Sequence, residues 1–501
     1  MAARRCKFSD YFYNGVTAAG VILTIVFFVI EAVLFGIDFF SGGANFYLGI
    51  LTYVFLPPFL IIGLILIPLG ALGKRLRIQK GQLDGVLRPL VFDPTVPTHR
   101  NAAIVFLSGS TILLVMTIVG AYKAFHYTES VHFCGIVCHE VMKPEHTAYM
   151  NSSHARVKCV ECHIGPGANW YVRSKMSGLR QVYRTAANNF DRPIPTPVHN
   201  LRPSKETCEQ CHWPAKFFGA QQKVYTHYLA DETNSPWEVQ MLIKVGGGDP
   251  SKGAAMGIHW HMNIENTIDY IATDDKRTVI PWVRSTDPHG TVTEYMSTEN
   301  PITPEKVATS EVRRMDCIDC HNRPSHVFHP PDRELDQSFI IGRLDVSLPY
   351  LKQKSIELLN ASYTNEHEAE QAILTGLSDY YQKSYPEIVR EKGAAIQQAT
   401  QELIRIYKNN YFPEMKVDWR THPNHIGHMI SDGCFRCHDG MHKSKDGKVI
   451  SNDCNACHTF IAQGPPDEVA KTPSMAQEFR HPVDVGIDVT EEKCTTCHAA
   501  Q

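Results

Sequence analysis

The stretch CGIVCHEVMKPEHTAYMNSSHARVKCVECH, residues 134–163, contains two short cysteine motifs, each closed by a histidine. The second motif, Cys-x-x-Cys-His, occurs five more times along the chain, and the first has one extra residue between its cysteines. Two thiols at this spacing can form thioether bonds to one porphyrin while the following residue turns its imidazole onto the iron. The motifs therefore predict seven covalently bound c-type haems.

These motifs, numbered one to seven in chain order, account for all but one of the 15 cysteines. The predicted attachment residues are Cys134, Cys138, Cys159, Cys162, Cys208, Cys211, Cys317, Cys320, Cys434, Cys437, Cys454, Cys457, Cys494 and Cys497. The predicted proximal iron ligands are His139, His163, His212, His321, His438, His458 and His498. Zinc and thioredoxin-like cysteine pairs need no histidine after the second cysteine, whereas every pair here has one. The remaining Cys6 is expected to be inert.

Each iron also needs a sixth ligand, and the chain has 25 histidines, many more than the motifs use. This surplus predicts bis-histidine ligation, which usually produces a low-spin electron carrier. The first candidates lie near motifs: His154, His199, His326, His428, His442 and His481. A second group is His227, His259, His261 and His425. Each of them could instead be an ordinary surface histidine.

Three long apolar segments lie before residue 125, at 15–37, 39–73 and 102–121. About 20 apolar residues span a bilayer core, so each segment can cross a membrane. The second is too long for one helix; it is interrupted by Pro57-Pro58, and residues 41–45 are expected to form a turn at its start. Residues 1–125 are therefore predicted to form a membrane anchor of three helices.

The positive charges around these segments are distributed asymmetrically. Arg4, Arg5 and Lys7 precede the first segment, and the loop between the second and third carries six Lys and Arg residues. The positive-inside rule places both regions in the cytoplasm, so the rest of the chain is predicted to face the periplasm from a bacterial inner membrane. A cleaved signal peptide is the alternative for the first segment, but no small-residue cleavage site follows it.

The remaining chain is organised by the spacing of the motifs, and the predicted fold class is mainly α. Residues 126–215 are expected to hold haems one to three, 317–433 haem four and a helical insert, and 434–501 a three-haem module that forms the electron exit. The segment 216–316 is expected to contain β-structure, with strand-like patches at 239–245 and 277–283. In the helical insert, Ile396, Ala399, Leu403 and Ile406 recur at helical spacing. A net charge of -3 gives no reason to expect a nucleic-acid partner.

Residues 133–183 resemble the NapC/NirT family of membrane quinol dehydrogenases. They have the family's first attachment motif followed by Met and Pro, then a Ser-x-His segment, then a second motif. The three spans, the seven motifs and the length are similar to ImcH-type inner-membrane cytochromes. The resemblance implies oxidation of menaquinol or another quinol from the membrane pool. It also implies delivery of electrons to periplasmic c-type cytochromes or a terminal reductase, alone, as a homo-oligomer or within a membrane complex.

The family's functional residues map onto a few positions. Met142 matches a methionine that can ligate haem one, and Lys175 matches a lysine that lines the quinol pocket. Two departures are visible: Met142 follows His139 by three positions rather than two, and Gln181 stands where the family has an acidic residue. A simple membrane-anchoring helix is the alternative for the segment around Lys175.

Near the end of the third span, His126 and His132 are candidate proton acceptors, together with Glu140 and His146. Two other functions compete with quinol oxidation: a terminal reductase acting at a haem with an open position, and a non-catalytic haem relay within a larger respiratory complex. The uniform histidine motifs and the surplus of histidines weigh against the reductase.

Overall fold

The structure is a computed structural model that describes residues 8–40, 51–82, 93–137, 139–164, 168–197, 203–247, 257–262, 266–471, 475–489 and 492–499. The chain forms two compact units, Met1–Val137 and Cys138–Gln501. The boundary lies inside motif one, twelve residues beyond the predicted end of the anchor at 125.

The first unit contains three helices that are long and apolar enough to cross a membrane. They are α1 (Gly15–Phe40), α2 (Pro57–Gln79) and α3 (Pro97–Thr128). The predicted three spans are therefore confirmed. Pro57 and Pro58 begin α2 rather than interrupt a helix, because the first helical positions need no intrahelical N–H bond. The turn expected at 41–45 lies outside the described residues.

Small residues bring α1 and α2 together. A side chain added at Gly20 would lie 2.9 Å from the carbonyl oxygen of Gly63, and one at Gly70 would lie 2.4 Å from Thr17 Oγ1. Close backbone approach through glycine is a common way for membrane helices to pack, because lipid offers no hydrophobic driving force between them.

The second unit is mainly helical, as the sequence predicts. Its helices are α4 (His139–Met150), α5 (Cys159–His163), α6 (Ala168–Ala186), α7 (Ser204–Cys208), α8 (Pro304–Thr309), α9 (Cys317–Cys320), α10 (Pro331–Ile340), α11 (Leu351–Asn360), α12 (Glu366–Ser384), α13 (Pro386–Asn410), α14 (Pro466–Val469) and α15 (Thr495–His498).

The helical insert is built on α10 to α13, whose buried faces form one hydrophobic core. Ile396, Ala399, Leu403 and Ile406 of α13 are all buried in it, which confirms the helical spacing read from the sequence. Full burial of a leucine or isoleucine contributes about 1.5–3 kcal/mol, so this core can hold the insert together without a bound group.

Two antiparallel sheets lie within the second unit. The strands are β1 (Ala220–Tyr228), β2 (Pro236–Lys244), β3 (Thr267–Ile271), β4 (Trp282–Thr286), β5 (Val292–Ser297), β6 (Arg313–Arg314), β7 (His442–Ser444) and β8 (His458–Gly464). Their orders are β1-β2-β8 and β6-β3-β4-β5-β7. Residues 239–244 of the patch predicted at 239–245 lie in β2, and Val245 directly follows the strand. The patch at 277–283 is strand only from Trp282, because Arg277 sits in a turn at a φ of 57°.

The last strand of each sheet comes from the C-terminal region. β8 begins at His458, the histidine of motif six, and β7 begins four residues after His438 of motif five. The segments 216–316 and 434–501, which the motif spacing separates, therefore share both sheets. The shared sheets hold the C-terminal motifs against the strands of segment 216–316.

Candidate haem centres

Several attachment motifs lie on a single helical turn. The backbone N–H of the histidine donates to the carbonyl of the first cysteine in motifs three, four, five and seven, for example His321 to Cys317 at 2.8 Å. One turn of this kind places both thiols and the imidazole on the same side of the backbone. In motif one, Cys138 and the side chain of His139 lie outside the described part of the chain.

The rings of six attachment histidines each face a second histidine. The ring centroids are 6.2 Å apart for His163–His326, 6.1 Å for His212–His154, 6.4 Å for His321–His259, 5.7 Å for His438–His261, 6.1 Å for His458–His428 and 6.2 Å for His498–His481. Each partner was among the candidate distal ligands in the sequence. Motifs two to seven are thus each matched with one histidine from elsewhere in the chain.

These separations fit two imidazoles on opposite sides of one iron. A histidine nitrogen binds a transition metal at about 2 Å, and the ring centre lies roughly 1 Å behind that nitrogen. Two imidazoles on one iron therefore have centroids about 6 Å apart. The residues present fit c-type haem, with the cysteines for attachment and both axial positions supplied by the chain.

Hydrogen bonds orient most of the second histidines in the same way. Nδ1 lies 3.2 Å from the Pro324 carbonyl in His154, 3.0 Å from that of Glu145 in His326, 2.8 Å from that of Val245 in His259, 3.0 Å from that of Ile258 in His261, and 2.7 Å from that of Val483 in His481. Nδ1–H donation to a carbonyl fixes the tautomer and directs Nε2 toward a metal. His428 differs, because its Nδ1 lies 3.6 Å from the sulfur of Cys494.

Other candidate ligands have different surroundings. His442 is buried, with Nδ1 2.9 Å from Asp439 Oδ1 and Nε2 2.7 Å from the carbonyl oxygen of Ile280. Burial opposes its charge, but these two bonds raise the pKa of His442. An imidazole with both nitrogens hydrogen-bonded has none left for a metal. His425 differs, because only its Nε2 is hydrogen-bonded, to the carbonyl of Lys276 at 3.0 Å, while its Nδ1 is buried without a hydrogen-bond partner among the described residues. His199 lies outside the described residues.

His227 belongs to a charged cluster. Its Nδ1 lies 2.9 Å from Asp336, and together with Asp332 these residues could hold a metal ion by geometry. The buried Lys352 already supplies a positive charge there, since its Nζ lies 2.5 Å from Asp332 and 2.7 Å from Asp336. We therefore interpret the cluster as an ion-pair network.

The motifs follow one another in space in the order of the sequence. Helix α5 contacts α7, and α7 contacts α9, which brings motifs two, three and four together. The sulfur atoms of Cys208 in motif three and Cys317 in motif four lie next to each other.

The same order continues to the last motif. Cys434 of motif five lies near Cys320 of motif four and Cys457 of motif six, and Cys454 of motif six lies near Cys494 of motif seven. Motif four therefore lies beside motif five, motif five beside motif six, and motif six beside motif seven. The long segments before and after motif four in the sequence do not separate it in space from the other motifs.

Helix α6 carries the residues that the family resemblance singles out. Met176, Leu179 and Tyr183 are exposed and lie on one face of it, and half-buried Lys175 is next to this face. Gln181, six residues after Lys175, lies about 120° around the helix from it. The helix has no acidic residue, and the positive charge of Lys175 lies at the edge of its exposed apolar face. Lys175 and Gln181 therefore do not point to a common site.

The remaining predicted site residues are spread over two units. His126 lies in the last turn of α3, and His132 follows shortly after it. Met142 is half-buried on α4. The ligands of haem one remain a prediction.

One buried residue of a motif was missed in the sequence. Asp319, between the cysteines of motif four, is 1% exposed and accepts from Tyr270 Oη at 2.7 Å, Arg277 Nη1 at 2.9 Å and Arg313 Nε at 2.7 Å. Burial and then Asp319 raise the pKa of Tyr270. The network fixes motif four to β3 and β6. In the sequence, the role of Asp319 was indicated only by the presence of an acidic residue between the two cysteines of a haem motif.

Comparison with known proteins gives two kinds of match. The model of the NapC/NirT cytochrome c family, N-terminal region, matches residues 96–194. Cytochrome c-type protein ImcH of Geobacter sulfurreducens is 45% identical over 494 residues, which cover 99% of this chain and 96% of the relative. Cytochrome c-type protein NrfH of Wolinella succinogenes is 31% identical over 102 residues, 20% of this chain and 57% of the relative. No solved structure matches.

Proposed function

This chain belongs to the NapC/NirT cytochrome c family, and from that premise we propose that it oxidises quinol at the membrane and passes the electrons through seven haems to a periplasmic partner. As a member with three membrane-spanning helices, it is a membrane-bound multihaem c-type cytochrome that transfers electrons. We propose in addition that its electron donor is a quinol, that it carries seven haems, that its second unit faces the periplasm and that its electron acceptor is a periplasmic partner.

The six histidine pairs are the observation that carries this proposal. We assign His326, His154, His259, His261, His428 and His481 as the distal ligands of haems two to seven. When bound, haem c supplies reversible one-electron chemistry. Side chains that fill both axial positions leave no coordination site for a substrate, which favours electron transfer over substrate reduction at these six motifs.

Electron entry is assigned to the region of α6 and haem one. Oxidation of one quinol releases two electrons and two protons and leaves the quinone. Lys175, at the edge of an exposed apolar face, is suited to donate a charge-assisted hydrogen bond to the quinol oxygen as its proton leaves. The apolar side chains Met176 and Leu179 suit a lipid-soluble substrate. That His126 and His132 are proton acceptors stays a prediction from the sequence.

The orientation follows from the charges that flank the spans. Five positive charges flank the connection between α2 and α3: Lys74, Arg75 and Arg77 lie near the end of α2, Lys80 follows it directly, and Arg100 lies in the first turn of α3. The positive-inside rule then supports a cytoplasmic position for this loop and a periplasmic position for the second unit. A periplasmic c-type cytochrome or a terminal reductase is the proposed acceptor.

Purified protein in lipid nanodiscs, mixed anaerobically with a menaquinol analogue, tests the proposal. We expect the absorbance spectrum to change from that of oxidised haem to that of reduced haem, with two electrons delivered per quinol oxidised. A pyridine haemochrome assay on the same sample should give seven haems per chain. Protein that dithionite reduces fully but that no quinol reduces would refute quinol oxidation and favour a relay within a larger complex.

A further inference from the structure

Glu145 and Arg323 form an ion pair beside His326. The Nη2 atom of Arg323 lies 3.2 Å from Glu145 Oε2, and His326 Nδ1 lies 3.1 Å from the same oxygen. The Nε of Arg323 also donates to the His326 carbonyl at 2.6 Å. The side chains of Glu145 and Arg323 are only 15% and 6% exposed. Water therefore screens their charges little.

The position of this pair links three motifs. Glu145 lies on α4, which begins at His139, the attachment histidine of haem one. Arg323 follows His321, the attachment histidine of haem four, by two residues. His326 itself faces His163 of haem two, with ring centroids 6.2 Å apart. The charges thus lie at haem two, the next motif after the proposed point of entry.

His326 has an environment that the other assigned distal ligands do not share. Among the described residues, it is the one of these six whose Nδ1 has a carboxylate oxygen within ion-pair distance. The Nδ1 atoms of the other five face backbone carbonyls or a sulfur. The hydrogen bond of His326 Nδ1 goes to the backbone carbonyl of Glu145 at 3.0 Å, so the carboxylate acts on the imidazole through its charge.

The two charges act on the iron with opposite sign. Oxidised haem iron carries one more positive charge than reduced iron, so a nearby carboxylate favours the oxidised state and lowers the reduction potential. The guanidinium of Arg323 favours the reduced state. At this low exposure both effects persist at physiological salt, whereas an exposed charge is largely screened.

We propose that Glu145 and Arg323 are positioning residues that set the reduction potential of haem two through His326. Glu145 lowers this potential by its negative charge, which lies 3.1 Å from His326 Nδ1, and Arg323 limits the decrease. The inference rests on the proposed function only in assigning His326 to haem two. It does not depend on quinol as the electron donor.

The test is a spectroelectrochemical titration of the full-length, haem-loaded protein with soluble mediators. Glu145→Gln should shift one midpoint potential to a more positive value, because the charge of Arg323 is then uncompensated. Arg323→Gln should shift the same component to a more negative value. His326→Met, which changes the ligand of haem two, identifies that component.

Glu161→Gln is the matched control. Glu161 lies between the cysteines of the same motif but is exposed, so removing its charge should leave the potential near that of the wild type. Glu145→Asp keeps the charge and should restore most of the wild-type value. Haem content and low-spin electron paramagnetic resonance signals are checked for each variant.

Two results would overturn the proposal in a fully haem-loaded protein. One is an unchanged set of potentials in Glu145→Gln, and the other is an equal shift in Glu145→Gln and Glu161→Gln. If Arg323→Gln does not load haem, the potentials of Glu145→Gln and Glu145→Asp, compared with that of Glu161→Gln, still test whether the charge of Glu145 sets the potential of haem two. Since the mediators replace quinol, failure of the proposed quinol oxidation would leave this result readable.

Discussion

His259 and His261 lie on the same short helical turn, Ile258–Met262, yet their rings face the attachment histidines of two different haem motifs. The ring of His259 is nearly parallel to that of His321, at 6.4 Å and 4°, whereas the ring of His261 is nearly perpendicular to that of His438, at 5.7 Å and 87°. One turn of segment 216–316 thus supplies the histidines that face the attachment histidines of motifs four and five. This turn is held to the segment that follows β2, since His259 N donates to the Gly246 carbonyl at 3.0 Å.

Replacing either histidine should affect one haem. We expect His259→Ala to convert haem four alone, and His261→Ala haem five alone, from low to high spin, because each variant removes one axial ligand. Quantitative electron paramagnetic resonance measures the high-spin fraction. His289→Ala, at an exposed turn between β4 and β5, is the control and should leave every haem low-spin. Loss of the same low-spin signal in both variants would contradict the assignment.

Lys175→Ala should slow reduction by quinol about ten- to a hundredfold, because a hydrogen bond to a charged group contributes on the order of 1.5–3 kcal/mol. Stopped-flow absorbance with a menaquinol analogue measures the rate, with dithionite reduction and haem content unchanged. Arg180→Ala removes the same charge from an exposed position of α6 and should retain near wild-type rates. Equal rates in Lys175→Ala and wild type would leave Lys175 a membrane anchor.

Gln181→Ala should have little effect on quinol oxidation. Gln181 is exposed, and its Nε2 lies 3.3 Å from Ser177 Oγ on a side of α6 away from Lys175. The same stopped-flow assay measures it, with Lys175→Ala as the reference for a damaged site. A decrease as large as that of Lys175→Ala would place Gln181 in the quinol site, in agreement with its match to the family.

His442→Gln should leave all haems low-spin and reduce stability. The buried imidazole bridges Asp439 and the carbonyl of Ile280, and loss of a hydrogen bond to a charged group costs about 1.5–3 kcal/mol. Thermal unfolding followed by circular dichroism measures the loss, and electron paramagnetic resonance reports the spin state. A high-spin haem in this variant would show that His442 is an axial ligand after all, as its position near motif five first suggested.

Acid should weaken the helical insert through Glu402. Burial opposes its charge, but Arg405 Nη2 and Ser338 Oγ, each 2.7 Å away, hold the pKa of Glu402 below its usual range. Because the folded-state pKa is lowered, this contribution is fully present above the unfolded value of about 4.3 and is lost as pH falls through the folded value.

The difference in Tm between wild type and Glu402→Gln should therefore be largest near neutral pH and shrink below about pH 4. Glu391→Gln, an exposed change on the same helix, should match the wild type throughout. A pH-independent difference for Glu402→Gln would contradict the ionisation argument.

The sequence alone was enough to predict which residues attach haem and to identify the segments that are long and apolar enough to cross the membrane. Attachment needs two cysteines and a histidine within one turn, and a span needs only length and apolar composition, so both are local properties of the chain. The mainly α class and the buried face of α13 were also readable, because helical periodicity is expressed in neighbouring residues.

The tertiary structure decided which histidine faces the attachment histidine in motifs two to seven. His326 is close in sequence to motif four yet faces His163 of motif two, and His261 reaches His438 from the distant insert. Sequence distance favoured His442 because it measures position along the chain, whereas coordination depends on which ring nitrogen is directed at a metal. Hydrogen bonds from other segments fix that direction, and only folding brings those segments together.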